Sequence, residues 1–454
     1  MHTTAHTDTI VFEIHQLLEQ SKLKELHALL GELQPFDFAE IYELLPAPSK
    51  PKFVLQLDSR QLAMMIQELD LELQMEVLHY IGFERSPDVL DRMDNDDLAD
   101  LLKELSFKEM EAFLSSMQKE ESEYVQHLMK YDPETAGGIM TNRFVWIRNH
   151  YTVREAVDKL KAFAAYAENL FYMYVLDENK VLVGVVSYRD LLLAHLDDRI
   201  DEIMYRRVIS VHVDTDQEEV ARTIERYNFI SVPVVDSDKH LLGIVTVDDV
   251  IDVIVHEAAE DIQKLSATGA GKKGIDFQTS VISASARRLP WLLLLLLLGM
   301  LSGSMIARFE ETLERVVALT FFMPMIAGMT GNTGTQSLAI VIRGLGTERL
   351  HKGALIRLIS RDFGVGLVLG LICGILIGII AYIWQGSVML SFVVSLSLLL
   401  TLVIGTLAGT LIPLLLYKLK IDPAIASGPL ITTLNDLFSL FVYFGLATLF
   451  INQL

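Results

Sequence analysis

A chain of 454 residues is too long for one domain and has room for about three. Its mean hydropathy of +0.36 is high for a soluble protein, so a membrane portion is expected. Residues 1–286 carry 27 Lys/Arg against 52 Asp/Glu, a net charge of −25 that repels nucleic acid and anionic lipid and excludes them as partners of this half. Residues 287–454 carry 11 Lys/Arg and 7 Asp/Glu among long apolar runs. The single cysteine, Cys373, lies in one of those runs, which excludes intrachain disulfides and Cys-rich zinc or iron–sulfur centres. Met1–Ile10 is polar and has no basic segment followed by an apolar core, so no signal peptide is expected and the acidic half should stay in the cytoplasm.

The first 130 residues are leucine-rich and helical in pattern. QLDSRQLAMMIQELDLELQMEVL and RMDNDDLADLLKELSFKEMEAFL align at a spacing of 36, pairing Leu62 with Leu98, Ala63 with Ala99 and Leu69 with Leu105. A helical-pair repeat of this length makes a small superhelical domain. Asp94, Asp97 and Asp100 form an acidic cluster within it.

Residues 136–255 hold a second, different repeat. GGIMTNRFVWIRNHYTVREAVDKL with FYMYVLDENKVLVGVVSYRDLL, and DEIMYRRVISVHVDTDQEEVARTI with FISVPVVDSDKHLLGIVTVDDVI, each read as strand, amphipathic helix, hairpin and second helix. Gly184 and Gly243 recur, as do Ser187/Asp190 and Thr246/Asp249. A Ser/Thr with an acid three positions on is first a capping box. The paired repeat also resembles tandem CBS domains, which bind adenine nucleotides in many families through that Ser/Thr and Asp. By that resemblance Ser187, Asp190, Thr246 and Asp249 are the candidate nucleotide residues, for ATP or another adenine nucleotide.

A helix is expected from about Asp248 to Leu265, studded with Asp249, Asp252, Glu257, Glu260 and Asp261 and only one lysine, Lys264. Such a stripe is usually a solvated face, but acids this crowded repel one another and also suit divalent bridging. TGAGKKG, Thr268–Gly274, then reads as a hinge.

Five spans follow: Leu289–Ala307, Val316–Ile342, Phe363–Trp384, Leu390–Tyr417 and Ala424–Ile451. Loops on one side, from Lys272 onward, hold 11 Lys/Arg and those on the other only Arg308 and Arg315, which places the N-terminal half in the cytoplasm. Asp436 sits mid-span in LITTLNDLFSL, where a charge costs about 3 kcal/mol unless it lines a wet path or finds a partner. No Lys, Arg or His lies within a span to pair with it, so it is expected to face an ion. PMIAGMTGNTGTQS in the second span brings close-packing glycines together with Asn332, Thr333, Thr335 and Gln336. Oxygen donors with few charges suit a cation that keeps its water shell, as Mg²⁺ does.

GNTGTQS in the second span and DPAIASGPLITTLND in the fifth resemble the MgtE magnesium transporters, as does the whole domain order. The resemblance implies a multidomain chain. An all-α superhelical N-terminal domain occupies 1–132, an α+β tandem CBS pair 133–200 and 201–248, a linking helix and hinge 249–288, and a five-helix transmembrane domain 289–454. It implies a homodimer in the plasma membrane in contact with lipid, not an enzyme. Asp436 would bind Mg²⁺ in the pore beside Asn332, Thr333, Thr432 and Gly428. Regulatory Mg²⁺ would bind among Asp94, Asp97, Gly138, Asp249, Asp252, Glu257, Glu260 and Asp261. Val255 and Asn228 depart from the family pattern. Two other readings stand beside this one: the same channel serving Co²⁺ or Mn²⁺, and a membrane enzyme regulated by adenine nucleotides. Against the enzyme, no Ser/His/Asp set, HExxH or P-loop occurs in the spans or loops.

Overall fold

Short amphipathic helices, some with capping acids at their starts, build the N-terminal region of the computed structural model, which describes residues 2–117, 119–164, 167, 169–268, 279–347 and 352–454. Lys272, Lys273, Arg349 and residues 269–274 of the expected hinge lie outside the described residues. The chain divides into two units, Met1–Ile254 and Val255–Leu454.

The first unit opens with α1 (His2–Glu19), α2 (Leu23–Leu30), α3 (Pro35–Leu44), α4 (Lys50–Val54), α5 (Ser59–Gln67), α6 (Leu71–Leu90), α7 (Asn95–Lys103), α8 (Phe107–Ser116) and α9 (Lys119–Leu128). Gly82, at φ +71°, breaks α6, a conformation that glycine alone adopts freely. Two of the three pairs set by the 36-residue spacing fall at equivalent core positions, with Leu62, Ala63, Leu98 and Ala99 all buried; in the third, Leu69 is buried and Leu105 only partly so.

Two small sheets follow with one topology. The first comprises β1 (Phe144–Arg148), α10 (Val153–Phe163), β2 (Asn169–Leu176), β3 (Leu182–Ser187), α11 (Tyr188–Leu193) and α12 (Ile200–Ile203). The second comprises β4 (Val211–His212), α13 (Gln217–Tyr227), β5 (Ser231–Val235) and β6 (Leu241–Thr246), leading into α14 (Val247–Leu265). In each sheet the first strand runs parallel to the second and the hairpin is antiparallel. The repeated glycines are explained by close approach. A Cβ on Gly184 would strike the Met204 sulfur, and one on Gly243 would lie 2.8 Å from the Thr141 carbonyl. The Tyr174 and Ser231 hydroxyls, 2.9 Å apart, tie one sheet to the other.

The second unit holds α15 (Val281–Arg308), α16 (Glu310–Arg315), α17 (Leu319–Thr347), α18 (Lys352–Gln385), α19 (Val388–Lys418), a 3₁₀ turn at Pro423–Ile425 and α20 (Gly428–Leu449). Of the described helices, α15, α18, α19 and α20 combine the length and hydropathy of a membrane span. The expected second span forms α17, 29 residues long, yet it is not among them. Its GNTGTQS run dilutes the hydropathy. The fifth helix begins at Gly428 rather than Ala424, because Asp422 caps the preceding 3₁₀ turn by accepting the Ala424 N–H.

Glycines fix how these helices approach. Gly366, Gly370, Gly374 and Gly378, one turn apart on α18, lie against Thr406, Leu399 and Ser395 of α19. Gly405 and Gly409 of α19 meet Thr330 and Gly334 of α17. Lipid offers apolar surfaces no drive to associate, so this close backbone packing is what holds such helices together.

Candidate cation sites

Glycine spacing also positions the intramembrane acid. Gly331 and Gly334 present a side-chain-free face of α17, against which Thr432, Ile431 and Asn435 of α20 fit. Asn435 is fully buried and its Nδ2 donates to the Thr330 carbonyl at 3.4 Å. Asp436 is the next residue, half-buried, and its Oδ1 is enclosed without a hydrogen bond among the described residues. Of the other expected pore residues, Thr432 donates to the Gly428 carbonyl at 2.9 Å, and Thr333 donates to the Met329 carbonyl at 2.7 Å. Asn332 is exposed on the single chain.

A second acid of this unit escaped the sequence reading because it stands one residue before the third expected span. Asp362, on α18, is 2% exposed and accepts a hydrogen bond from Thr410 of α19 at 2.5 Å. Arg361 pairs with its other oxygen at 3.0 Å. Thr410 follows Gly409, the residue that rests on Gly334, so Asp362 anchors α19 where it packs on α17. Asp362→Ala is expected to cost on the order of 1–2 kcal/mol, the range for a hydrogen bond between membrane helices. The protein should then lose its monodisperse elution in detergent at a lower temperature, while Asp362→Asn, which still accepts from Thr410, keeps most of the wild-type value.

In the first unit a carboxylate cluster forms at the start of α7. Asp58, the repeat-equivalent of Asp94, caps α5 by accepting the Gln61 N–H at 2.8 Å. Asp94 makes no such cap. Its Oδ1 meets Arg143 at 2.6 Å and its Oδ2 accepts from Gln67, also at 2.6 Å, while Gln67 reaches Asp97 at 2.9 Å. Forgoing a cap costs typically about 1 kcal/mol, so the start of α7 gives up stability to aim its acids elsewhere. Asp249, whose carboxylate caps α14 by accepting from Thr246, adds its charge to the same group. Crowding by the surrounding protein, then the charges of Asp94, Asp249 and Asp100, raises the pKa of Asp97 against a hydrogen bond from Gln67, although the residue keeps contact with solvent. Desolvation, with Asp248 and Asp94 adding to it, pushes Asp249 up to about 6. Gly138 is buried in a turn, where a Cβ would strike the Asp132 carbonyl and Pro133. Asp252 is exposed, and it raises the pKa of Glu68, where burial is the larger cause.

Acids with raised folded-state pKa values stabilise the fold least when ionised. In metal-free buffer these two acids are therefore expected to lower the thermal midpoint of the cytoplasmic half progressively as pH rises from about 4 to 7. Asp97→Asn should flatten that fall, and Mg²⁺ should offset it at the upper end; differential scanning fluorimetry with and without EDTA measures both.

The family described as divalent cation transporter, MgtE, matches residues 323–446, the MgtE intracellular N domain matches 33–134, and the CBS domain matches 136–197 and 200–256. The magnesium transporter MgtE of Bacillus subtilis (strain 168) is 51% identical over 447 residues, 98% of each chain. The chain belongs to the MgtE family. The MgtE of Thermus thermophilus is 36% identical over 98% of this chain and 99% of its own. Among solved structures, the soluble part of a magnesium transporter is 38% identical, with a TM-score of 0.52, covering 56% of this chain and all of that one. The cytosolic domain of the Mg²⁺ channel MgtE in complex with ATP is 34% identical, with the same TM-score, over 54% of this chain and 99% of that one.

In this MgtE chain the four expected nucleotide residues separate. Ser187 and Asp190 form a capping box, with the Ser187 hydroxyl donating to Asp190 at 2.6 Å, and both line a cavity of about 400 Å³ with Tyr172, Tyr205 and Arg207. Thr246 and Asp249 cap α14 instead and do not line that cavity. The hairpin that precedes them satisfies itself: Asp236 accepts from the Asp238 and His240 backbone and contacts the His240 ring at 2.9 Å.

The end of the linking helix belongs to the second unit. Lys264 bridges Glu260 at 2.8 Å and Asp422 at 2.7 Å. Burial disfavours its ammonium, but these two contacts more than offset that and hold its pKa above the ordinary lysine value. Asp261 is raised by burial, then by Asp422, against Lys264. The Leu265 carbonyl lies against Gly428, the first residue of α20. Asp422 opens the quoted DPAIASGP run, yet nothing in the sequence marked it as the partner of Lys264. Asn228, one of the departures, serves as the left-handed C-cap of α13 at φ 52°, a structural duty that asparagine performs well. Val255, the other, is exposed.

Proposed function

We propose that this chain conducts Mg²⁺ across the plasma membrane as a homodimer and closes when cytoplasmic Mg²⁺ binds its acidic half. The observation that carries the reading is Asp436: a carboxylate whose enclosed oxygen finds no partner among the described residues, set among the small residues and hydroxyls of α17 and α20 in an apolar unit. An uncompensated charge at that depth is retained where it meets a cation. The names of the full-length relatives support the choice of ion. Flux into proteoliposomes, compared across Mg²⁺, Co²⁺, Mn²⁺ and Ca²⁺, tests it: Mg²⁺ entry is expected, and entry of another ion alone would reassign the cargo.

Closure rests on electrostatics. With a net charge of −25, the cytoplasmic half repels itself unless cations neutralise it. Asp94, Asp97, Asp249, Asp252, Glu257, Glu260 and Asp261 are the residues proposed to bind the regulatory ions. The end of α14 transmits the change, because its last turn touches Asp422 and Gly428 at the entrance to α20. The cavity at Ser187 and Asp190 is proposed to take an adenine nucleotide, in keeping with the ATP complex of the related cytosolic domain. In the cytoplasmic half, millimolar Mg²⁺ is expected to slow proteolysis, since binding to the folded state alone stabilises it. Digestion slowed by ATP and indifferent to Mg²⁺ would make nucleotide the sensed ligand.

A further inference from the structure

The oxygens of Asp94 are already engaged. Arg143 stands in the segment between the helical region and the first sheet, and its Nη1 meets Asp94 Oδ1 at 2.6 Å while its Nη2 donates to the Met93 carbonyl at 2.6 Å. The neighbouring Asn142 accepts from Asn95 at 2.8 Å, and Asn95 is 2% exposed. Thr141, two residues earlier, exchanges backbone hydrogen bonds with Ile244 of β6, which ties this segment to the strand leading into Thr246 and Asp249. The other oxygen of Asp94 is taken by Gln67. The repeat-equivalent Asp58 shows the ordinary fate of an acid at this position, capping its own helix.

We propose that Arg143 is a resident cation of the Asp94 site, clamping the start of α7 to the CBS pair when no divalent ion is bound and giving way when Mg²⁺ takes Asp94. The proposal rests on the regulatory reading above and deepens it. A guanidinium delivers one charge in a fixed fork and cannot be deprotonated, so the clamp operates across the physiological pH range. It satisfies Asp94, while no cation among the described residues pairs with Asp97 or Asp249. A hydrated divalent ion carries twice the charge and serves several carboxylates at once. Arg143 therefore keeps the helical region docked at low Mg²⁺ and reduces the range over which Mg²⁺ alone controls docking.

Hydrogen–deuterium exchange on the full chain in nanodiscs, read at the amides of Asn95–Lys103, tests this with MgCl₂ or EDTA as the only variable. Losing a charge-assisted contact is expected to speed exchange of these amides in EDTA by roughly 10- to 100-fold in Arg143→Ala. Saturating Mg²⁺ should return them to the wild-type rate, so the protection conferred by Mg²⁺ grows in the variant. Arg143→Lys should retain most of the protection in EDTA, showing that the charge and not the mere presence of a long side chain matters. A purely structural role would loosen α7 equally with and without Mg²⁺, and that result would overturn the proposal, as would unchanged exchange in EDTA. A wild-type protein indifferent to Mg²⁺ would remove the regulatory reading, while the EDTA comparison would still decide the clamp.

Discussion

Asp436→Ala is expected to reduce Mg²⁺ flux in proteoliposomes by about ten-fold or more while the protein still inserts and elutes as the wild type does. A contact from an ionised group is worth roughly 1.5–3 kcal/mol, and each 1.4 kcal/mol is a factor of ten. The variant should fold because the enclosed Oδ1 of Asp436 makes no hydrogen bond among the described residues and so holds no other described part of the protein in place. Asn435, next to it, does the holding through Thr330. Wild-type flux in Asp436→Ala would sink the pore assignment; loss of insertion would be recognised by elution profile and answered with Asp436→Asn, which keeps the shape and removes the charge.

The second large effect concerns gating. Neutralising Asp249, Asp252, Glu257, Glu260 and Asp261 together removes the repulsion proposed to favour opening and the ligands proposed to favour closing. Basal activity reflects the balance of those two changes, but inhibition by cytoplasmic Mg²⁺ should weaken by an order of magnitude or vanish. The structure adds a caution about how the variant is built. Glu260 is a partner of Lys264, which also holds Asp422, so a version that retains Glu260 separates loss of Mg²⁺ ligands from loss of the contact at the entrance to α20. An unshifted inhibition midpoint in both versions would rule out this helix as the sensor.

What the sequence made legible was whatever local pattern controls. The 36-residue repeat, the two CBS-like units and the helices of the membrane unit follow from periodicity; the capping box at Ser187/Asp190 formed as its spacing required, and at Thr246/Asp249 the carboxylate accepts from the Thr246 N–H. Asp436 stood out because a lone charge in an apolar run has few explanations. The partners of the acids were not legible, because they lie far away in sequence. Arg143 reaches Asp94 across 49 positions and Thr410 reaches Asp362 across 48. The fate of Asp94 was hidden for a further reason: in sequence it looks like the cap that Asp58 is, and only the fold shows its carboxylate turned away. The separation of Ser187/Asp190 from Thr246/Asp249 was likewise invisible, since the two halves of the repeat match at those positions and differ only in what surrounds them. The α18 glycines were legible in principle, four of them at four-residue spacing.

The central claim, a Mg²⁺ channel shut by the ion it conducts, is tested most directly by recording from inside-out patches of membranes containing the wild-type protein while the solution on the cytoplasmic face is stepped through a Mg²⁺ titration. Inward Mg²⁺ current is expected when that face is free of Mg²⁺, with open probability falling steeply as millimolar Mg²⁺ is added and recovering on washout. A Mg²⁺ current that persists unchanged through the titration would contradict the gating half of the account, and the absence of any Mg²⁺ current under Mg²⁺-free conditions would contradict its core.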